Sequence, residues 1–300
     1  MCCKDFKEGF ELTLMASKHR LRLSIVILLL PVIYLQAADR IEKVFPVSKN
    51  ASLMLTNYTG NISVKGWQNS EIKVVYTKHS QNVEIDTEST PSKVKVSTHV
   101  LDKLATSDKA RVDYQVYVPE EATLEIVNNM GTVDVENIKG AVKVDVFEAV
   151  VKIAGVQGGV QATSLGSKLT VSESTGPIQT TTVSGDIVFS KLDSNNVTAN
   201  STLGNISYEG DFVRLGNYRF STNEGIILVR CPDQASVEWN ARTVKGKIRS
   251  NLPIRSKNHA PSSTGIAEKQ SLLGTLNQGD ANVNLSTFSG EININDSSNA

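Results

Sequence analysis

The sequence predicts an all-β protein: a β-solenoid of stacked two-strand repeats, each about 20 residues long, behind an N-terminal β-region. Three observations predict it. A short glycine-led pattern recurs along the chain at near-constant spacing. Apolar and polar residues alternate within each segment, which is the period of a half-buried strand. The composition is rich in Val, Ile, Thr, Ser and Asn, with only 6% aromatic residues, and that mix favours strands and turns over helices.

The first element, residues 1–37, is a leader. Lys18, His19, Arg20 and Arg22 form a basic cluster, an apolar run extends from Leu23 to Leu35, and the small residues Ala37 and Ala38 follow. This is the order of a secretory signal peptide. The run is about 13 residues long, short of the roughly 20 that span a bilayer as a helix. Leu35 is large for the third position before a cut after Ala37, so an uncleaved anchor is the alternative, and it would be the chain's one contact with a membrane. Met15, just before the basic cluster, reads as the true start. No Cys follows the run, against a lipoprotein anchor. Cys2 and Cys3 fall in the leader, and beyond it only Cys231 remains. The fold must therefore hold without an intrachain disulfide, although export permits them. Cys231 reads as a buried small apolar residue rather than a nucleophile.

Residues 38–118 form the N-terminal β-region. Alternation is clear at Ile72, Val74 and Tyr76, at Val94 and Val96, and from Val112 to Val118. Residues 119–300 carry the regular repeats. The pattern is Gly, a variable residue, Ile or Val, a variable residue, then an apolar one. It is led by Gly60, Gly131, Gly185, Gly204, Gly225, Gly246 and Gly290, and Gly166 leads a weaker copy ending in Leu169 and Val171. These eight are read as structural repeat-turn glycines. Apolar residues stand seven and five positions before many of them, as Leu124 and Ile126 do before Gly131. Each unit is thus strand, tight turn, strand, loop. From Gly166 to Gly246 the glycines recur every 19 to 21 residues. Two short strands cannot bury an apolar face alone, and stacked units can. Phe189, Tyr208 and Val229 then occupy equivalent positions. An antiparallel β-meander of hairpins is the competing arrangement. Residues near 254–278 break the period and predict an exposed loop before the last unit.

Several segments resemble the bacterial DUF4097 "putative adhesin" family. The opening Asp39-Arg40-Ile41-Glu42-Lys43-Val44-Phe45-Pro46-Val47 resembles its first strand, and Asn61-Ile62-Ser63-Val64-Lys65-Gly66-Trp67 its first G-x-I-x-V-x-G-W unit. Thr182-Val183-Ser184-Gly185-Asp186-Ile187 is similar to its T-V-S-G-D-I repeat, and Leu273-Gly274 through Ser289-Gly290-Glu291-Ile292 to its terminal unit. The resemblance spans most of residues 39–295. It implies an exported, repeat-built β-fold at the cell envelope, in the periplasm or at the surface, and it carries over no catalytic residue.

Residue by residue, the chain offers little chemistry. His79, His99 and His259 are scattered and belong to no zinc-binding spacing. Asp134, Asp186 and Glu291 lie near repeat turns, where carboxylates of adjacent coils could align for Ca²⁺ or as an acid pair; solvated turn residues are the better reading. No G-x-G-x-x-G or Walker pattern opens a helix. Charge is balanced at 31 basic and 31 acidic residues, so no field draws the chain to nucleic acid. The sequons at Asn57, Asn61, Asn196, Asn200, Asn205 and Asn284, and the Thr and Ser row at Thr180 to Thr182 and Thr198, reflect polar strand faces. The expectation is a non-enzymatic structural or binding protein of the envelope, without cofactor, with an envelope glycan or another envelope protein as partner. Family association adds an envelope-stress sensor or scaffold as the alternative, and a β-helix carbohydrate-active enzyme is the third reading.

Overall fold

The computed structural model describes residues 39–102, 104, 106–257 and 270–297. The expected leader, with Cys2, Cys3 and Met15, lies outside the described residues, as does His259. The first six strands are β1 (Asp39–Pro46), β2 (Ser52–Trp67), β3 (Glu71–Lys78), β4 (Val83–Thr90), β5 (Lys93–Val100) and β6 (Val112–Pro119). Two long strands follow, β7 (Thr123–Ile138) and β8 (Val142–Val156). Five pairs of short strands come next: β9 (Val160–Ser164) and β10 (Leu169–Ser172), β11 (Ile178–Thr182) and β12 (Ile187–Ser190), β13 (Asn196–Ser201) and β14 (Ile206–Glu209), β15 (Asn217–Thr222) and β16 (Ile227–Cys231), β17 (Val237–Thr243) and β18 (Ile248–Ser250). The last four are β19 (Arg255–Ser256), β20 (Ser271–Leu276), β21 (Ala281–Thr287) and β22 (Ile292–Asp296). Among the described residues the one helical element is a single 3₁₀ turn, Ser107–Ala110.

The protein is a β-solenoid. Each rung has two legs joined at a corner, and each leg pairs in parallel with the same leg of the next rung. The first legs make sheet 1 and the second legs sheet 2. In β2 and β7 the chain runs through the corner as one strand, and the buried positions change phase there, from Leu55 and Asn57 to Ile62 and Val64. The meander alternative is overturned: neighbouring rungs are parallel, because the glycine turn carries the chain from one sheet to the other instead of back alongside itself.

The spatial order of rungs is not the chain order. Rung 1 is β5 with β6, rung 2 is β2, rung 3 is β7 and rung 4 is β8. Rungs 5 to 8 are the pairs β9/β10, β11/β12, β13/β14 and β15/β16. Rung 9 is the last unit in sequence, β21/β22, which lies between rung 8 and rung 10, the pair β17/β18. Both the first and the last repeat of the chain thus sit one rung inside an end. The described residues of the N-terminal β-region supply rungs 1 and 2 together with a cap in which β3 lies antiparallel on β6, β1 on β3, and β4 on β5.

At the other end β20 covers β17 in antiparallel pairing and β19 covers β20. Within the expected loop at 254–278 the described ends are strands instead: Leu272 and Leu276 give β20 an apolar side, and Leu276 is buried against the core. Residues 258–269 lie outside the described residues. The outermost strands carry charge and proline, with Glu84, Asp86 and Glu88 on β4 and Pro46 ending β1, which discourages further edge pairing.

The core runs the length of the rungs as columns of buried side chains. Where sheet 1 contributes only Ala162, Thr180 and Ala199, sheet 2 contributes Phe189 and Tyr208. Phe189 and Tyr208 are direct neighbours in register, with Val229 next in the column. Phe220 of sheet 1 fills the remaining space, 5.8 Å from the Phe189 ring and 5.6 Å from Tyr208. Large residues on one wall thus face small ones on the other, as close packing requires.

Candidate binding surface

The corner between the sheets has its own chemistry. In rung 6 the Thr182 hydroxyl accepts the backbone N–H of Gly185 at 3.0 Å. The same bond recurs from Gly204 to Ser201, from Gly225 to Thr222, from Gly290 to Thr287 and from Gly246 to Thr243. A buried hydroxyl so satisfies an N–H that the turn leaves without a ladder partner. The glycine three residues later is required by the neighbouring rung. A Cβ on Gly185 would overlap the Ser167 carbonyl oxygen, one on Gly204 that of Gly185, and one on Gly290 that of Gly225. Gly60 and Gly131 meet the same obstacle at the N-terminal corners and also have φ near +120°, at 129° and 118°.

Gly166 is the exception and corrects the reading of that unit. Leu169 pairs with Ile187, so the residue in the glycine column is Ser167, whose N–H is bound by the Ser164 hydroxyl at 3.0 Å. A Cβ on Gly166 would meet nothing nearer than 3.7 Å. In rung 4 the column holds Ala149, paired with Gly131.

Two buried amides at the N-terminal corners escaped the sequence reading. Asn57 donates to the Thr59 and Val112 carbonyls and to Asn128 Oδ1, at 3.0, 3.1 and 3.2 Å. Asn128 donates in turn to the carbonyls of Gly60 and Met130, both at 3.1 Å. Asn57, expected on a polar strand face, is buried. The available signal was spacing. Asn57 and Asn128 stand three residues before Gly60 and Gly131, where later units have Thr or Ser before their glycines. Likewise Thr180 and Thr182 point into the core, and of that row Thr181 and Thr198 face outward.

The outer faces of the two sheets differ. On sheet 1, rungs 5 to 9 present Gln161 and Thr163, Gln179 and Thr181, Thr198 and Asn200, Arg219 and Ser221, and Asn284 and Ser286, in register. Among those ten positions Arg219 carries the one charge. The side chains bond along the ladder, Ser286 to Ser221 at 3.0 Å, and Asn240 of rung 10 to Asn284 at 3.2 Å. Sheet 2 presents Thr170, Ser172, Val188, Ser190, Ser207 and Leu228 over rungs 5 to 8, with the charges Glu209 and Arg230, and at rungs 3 and 4 both sheets are charged, sheet 1 through Glu125, Lys143 and Asp145. A shallow depression of about 440 Å³ is lined by Asp134, Glu136, Lys152, Thr170 and Ser172 among others, with Lys65 3.5 Å from Glu136.

The three candidate carboxylates are not brought together. Asp134 points out from the flat face of sheet 2. Asp186 is at the corner of rung 6 and holds the Asn205 backbone and side-chain amides at 2.9 and 3.0 Å. Glu291 is at the corner of rung 9 and pairs with Arg249 at 2.6 Å. Among the described residues no cluster of His, Cys, Asp and Glu is arranged to hold a metal. His79 follows β3 of the N-terminal cap and His99 is on β5 of rung 1, 2.7 Å from Asp113 and 3.0 Å from Asp86 respectively. Cys231 is buried, and burial pushes its thiol up to about 12. Among the described residues no helix is long and apolar enough to cross a membrane.

A two-sheet parallel solenoid with hydroxyl–glycine corners and a flat polar face defines the class: a β-repeat protein. The chain belongs to the Toastrack DUF4097 family, whose model matches residues 47–295. No curated protein matches the sequence. Among solved structures it is similar to a "putative cell adhesion protein" from Clostridium sporogenes, at 13% identity over 87% of this chain and 100% of that one, with a TM-score of 0.29. It is also similar to "putative adhesins" from Bacteroides fragilis (12% identity, 87% and 98% covered, TM-score 0.43) and Parabacteroides merdae (9% identity, 85% and 96% covered, TM-score 0.34).

Proposed function

We propose that the protein is an exported, non-enzymatic binding module of the cell envelope, and that it engages an extended ligand, an envelope glycan or another envelope protein, along the outer face of sheet 1. One observation carries this reading: the amide and hydroxyl ladder from Gln161 to Ser286 holds a single charge over five rungs in register, whereas rungs 3 and 4 of the same sheet carry Glu125, Lys143 and Asp145. Loss of charged residues is the compositional mark of an interface centre. Amides and hydroxyls repeating at the rung spacing of about 4.8 Å offer an extended partner the same donors and acceptors step after step. Export rests on the basic cluster and apolar run of residues 18–35. Adhesion is the form this function takes when the ligand belongs to another cell.

The test is retention of purified protein on peptidoglycan, on isolated envelope glycan and on solubilised envelope proteins. Retention on one of these is expected, with about a tenfold loss in the double variant Gln179→Glu/Thr181→Glu, a penalty of roughly 1.4 kcal/mol. No retention on any of the three overturns the proposal.

A further inference from the structure

Large apolar side chains are exposed along one line of the molecule. Six of rungs 4 to 10 place one just before the turn glycine column: Phe147, Leu165, Val183, Leu203, Phe288 and Val244, each 41% to 59% exposed. Backbone hydrogen bonds join successive corners into a ridge, from Gly166 to Phe147, Ser184 to Leu165, Leu203 to Val183, Asn223 to Thr202, Phe288 to Asn223 and Val244 to Phe288, at 2.8 to 3.1 Å. Rung 8 thus puts Asn223 in this line, and its exposed Ile226 lies on the far side of Gly225, bonded to Asn205 of rung 7. The turn itself does not need these side chains. Its requirements are the hydroxyl and the glycine, and the ridge residues lie between or beside them. Seven rungs at about 4.8 Å make a ridge roughly 30 Å long. Such a stripe on a soluble surface marks a contact.

The charges along the ridge identify the partner. Reversing the ridge about Leu203 sets rung 4 against rung 10, rung 5 against rung 9 and rung 6 against rung 8. Phe147 then faces Val244, Leu165 faces Phe288, and Val183 faces Asn223. Glu148, beside Phe147, faces Lys245, beside Val244, and Lys168 of rung 5 faces Glu291 of rung 9, which already holds Arg249. Asp186 falls opposite Ile226 and Glu224 opposite Ser184, so no like charges meet in these two columns. With the ridges parallel, the two-fold axis would instead run along the ridge and set the column before the glycines against the column after them, so Glu148 would face Val150, Lys168 would face Gly166 and Lys245 would face Lys247. The charges therefore favour the antiparallel two-fold arrangement.

We infer that the protein forms a two-fold dimer through this corner, the two ridges antiparallel and Leu203 on the axis. Half-exposed as they are, the ridge residues would bury on the order of 600 Å² per copy, about 1,200 Å² in all, the lower end of what a specific interface needs. The contact is separate from the outer face of sheet 1, so it leaves the proposed ligand surface free, and either reading can fail without the other.

Cysteine scanning in the full chain, with Cys2 and Cys3 changed to Ser, tests this. Cys231 is buried and does not compete. Leu203→Cys is expected to give a disulfide-linked dimer on mild oxidation. Phe147→Cys alone is expected to give none, because across the axis the two copies of that position are about 29 Å apart. Phe147→Cys with Val244→Cys restores the band. In sedimentation the wild-type chain is a dimer and Leu203→Asp a monomer, and Glu148→Lys weakens the dimer until Lys245→Glu is added. A monomeric wild type, a Phe147→Cys dimer, or a control Thr198→Cys on sheet 1 that cross-links as well as Leu203→Cys overturns the inference. A monomer that instead floats with phosphatidylcholine vesicles, and loses this with Leu203→Asp, overturns it too and assigns the ridge to lipid.

Discussion

At the scale of single residues, the corner glycines separate into those that a neighbouring backbone demands and the one that it does not. Gly185 sits against the Ser167 carbonyl, so Gly185→Ala must push two rungs apart; a loss of about 1–3 kcal/mol is expected. Gly166→Ala has open space and should be neutral, or stabilising by about 0.5 kcal/mol through the unfolded chain. Chemical denaturation of the two variants checks the difference, and equal losses would contradict the corner described here. Asp113 gives a pH-dependent counterpart. Burial alone raises its carboxyl, but hydrogen bonds from the Asn61 N–H, Arg111 and His79 outweigh that and hold it below the usual carboxylate range. A carboxyl depressed in the folded state stabilises above its unfolded pKa and loses that contribution as pH falls through the folded one. Asp113→Asn should therefore cost about 1 kcal/mol at neutral pH, and the gap to wild type should close below about pH 4. Thermal melts across that range measure it.

At the scale of the element, a rung is two strands and a capped corner. The strands were legible because their alternation is a local property of an extended chain with one face buried: Ile187 and Phe189, or Ile206 and Tyr208, point inward in any packing that hides them. The corner was half legible. Its glycine stands out in the sequence, but its hydroxyl does not, because Thr182 looks like Thr181 until the turn reveals which one the core encloses. The register of rung 5 differs by one residue from the expectation, because Gly166 is a glycine outside the column and Ser167 holds the place within it. Thr182→Val keeps the shape and leaves the Gly185 N–H unsatisfied, so a loss of roughly 1–2 kcal/mol is expected, with Thr182→Ser near wild type. Urea unfolding of the pair decides whether the hydroxyl or the methyl matters.

At the scale of the whole molecule, the ends are interleaved. A solenoid whose rungs follow chain order should tolerate shortening from its end, since each rung touches only its neighbours. Here the final unit, residues 281–296, fills the space between rungs 8 and 10. A chain stopped after Lys257 would bare one edge of each. It is expected to be insoluble or protease-sensitive throughout, where an in-order solenoid would leave a shorter folded product; limited proteolysis tells the two apart. From the sequence alone came the strands, the corner glycines, the unit of about 20 residues and the family, because each is written in local periodicity. The interleaved order of the rungs, the burial of Asn57 and Asn128, the scattering of Asp134, Asp186 and Glu291, and the apolar ridge were decided by the tertiary structure. Parallel neighbours lie at least eighteen residues apart in the chain, and no local pattern specifies which copy of a repeat another copy will choose to stand beside.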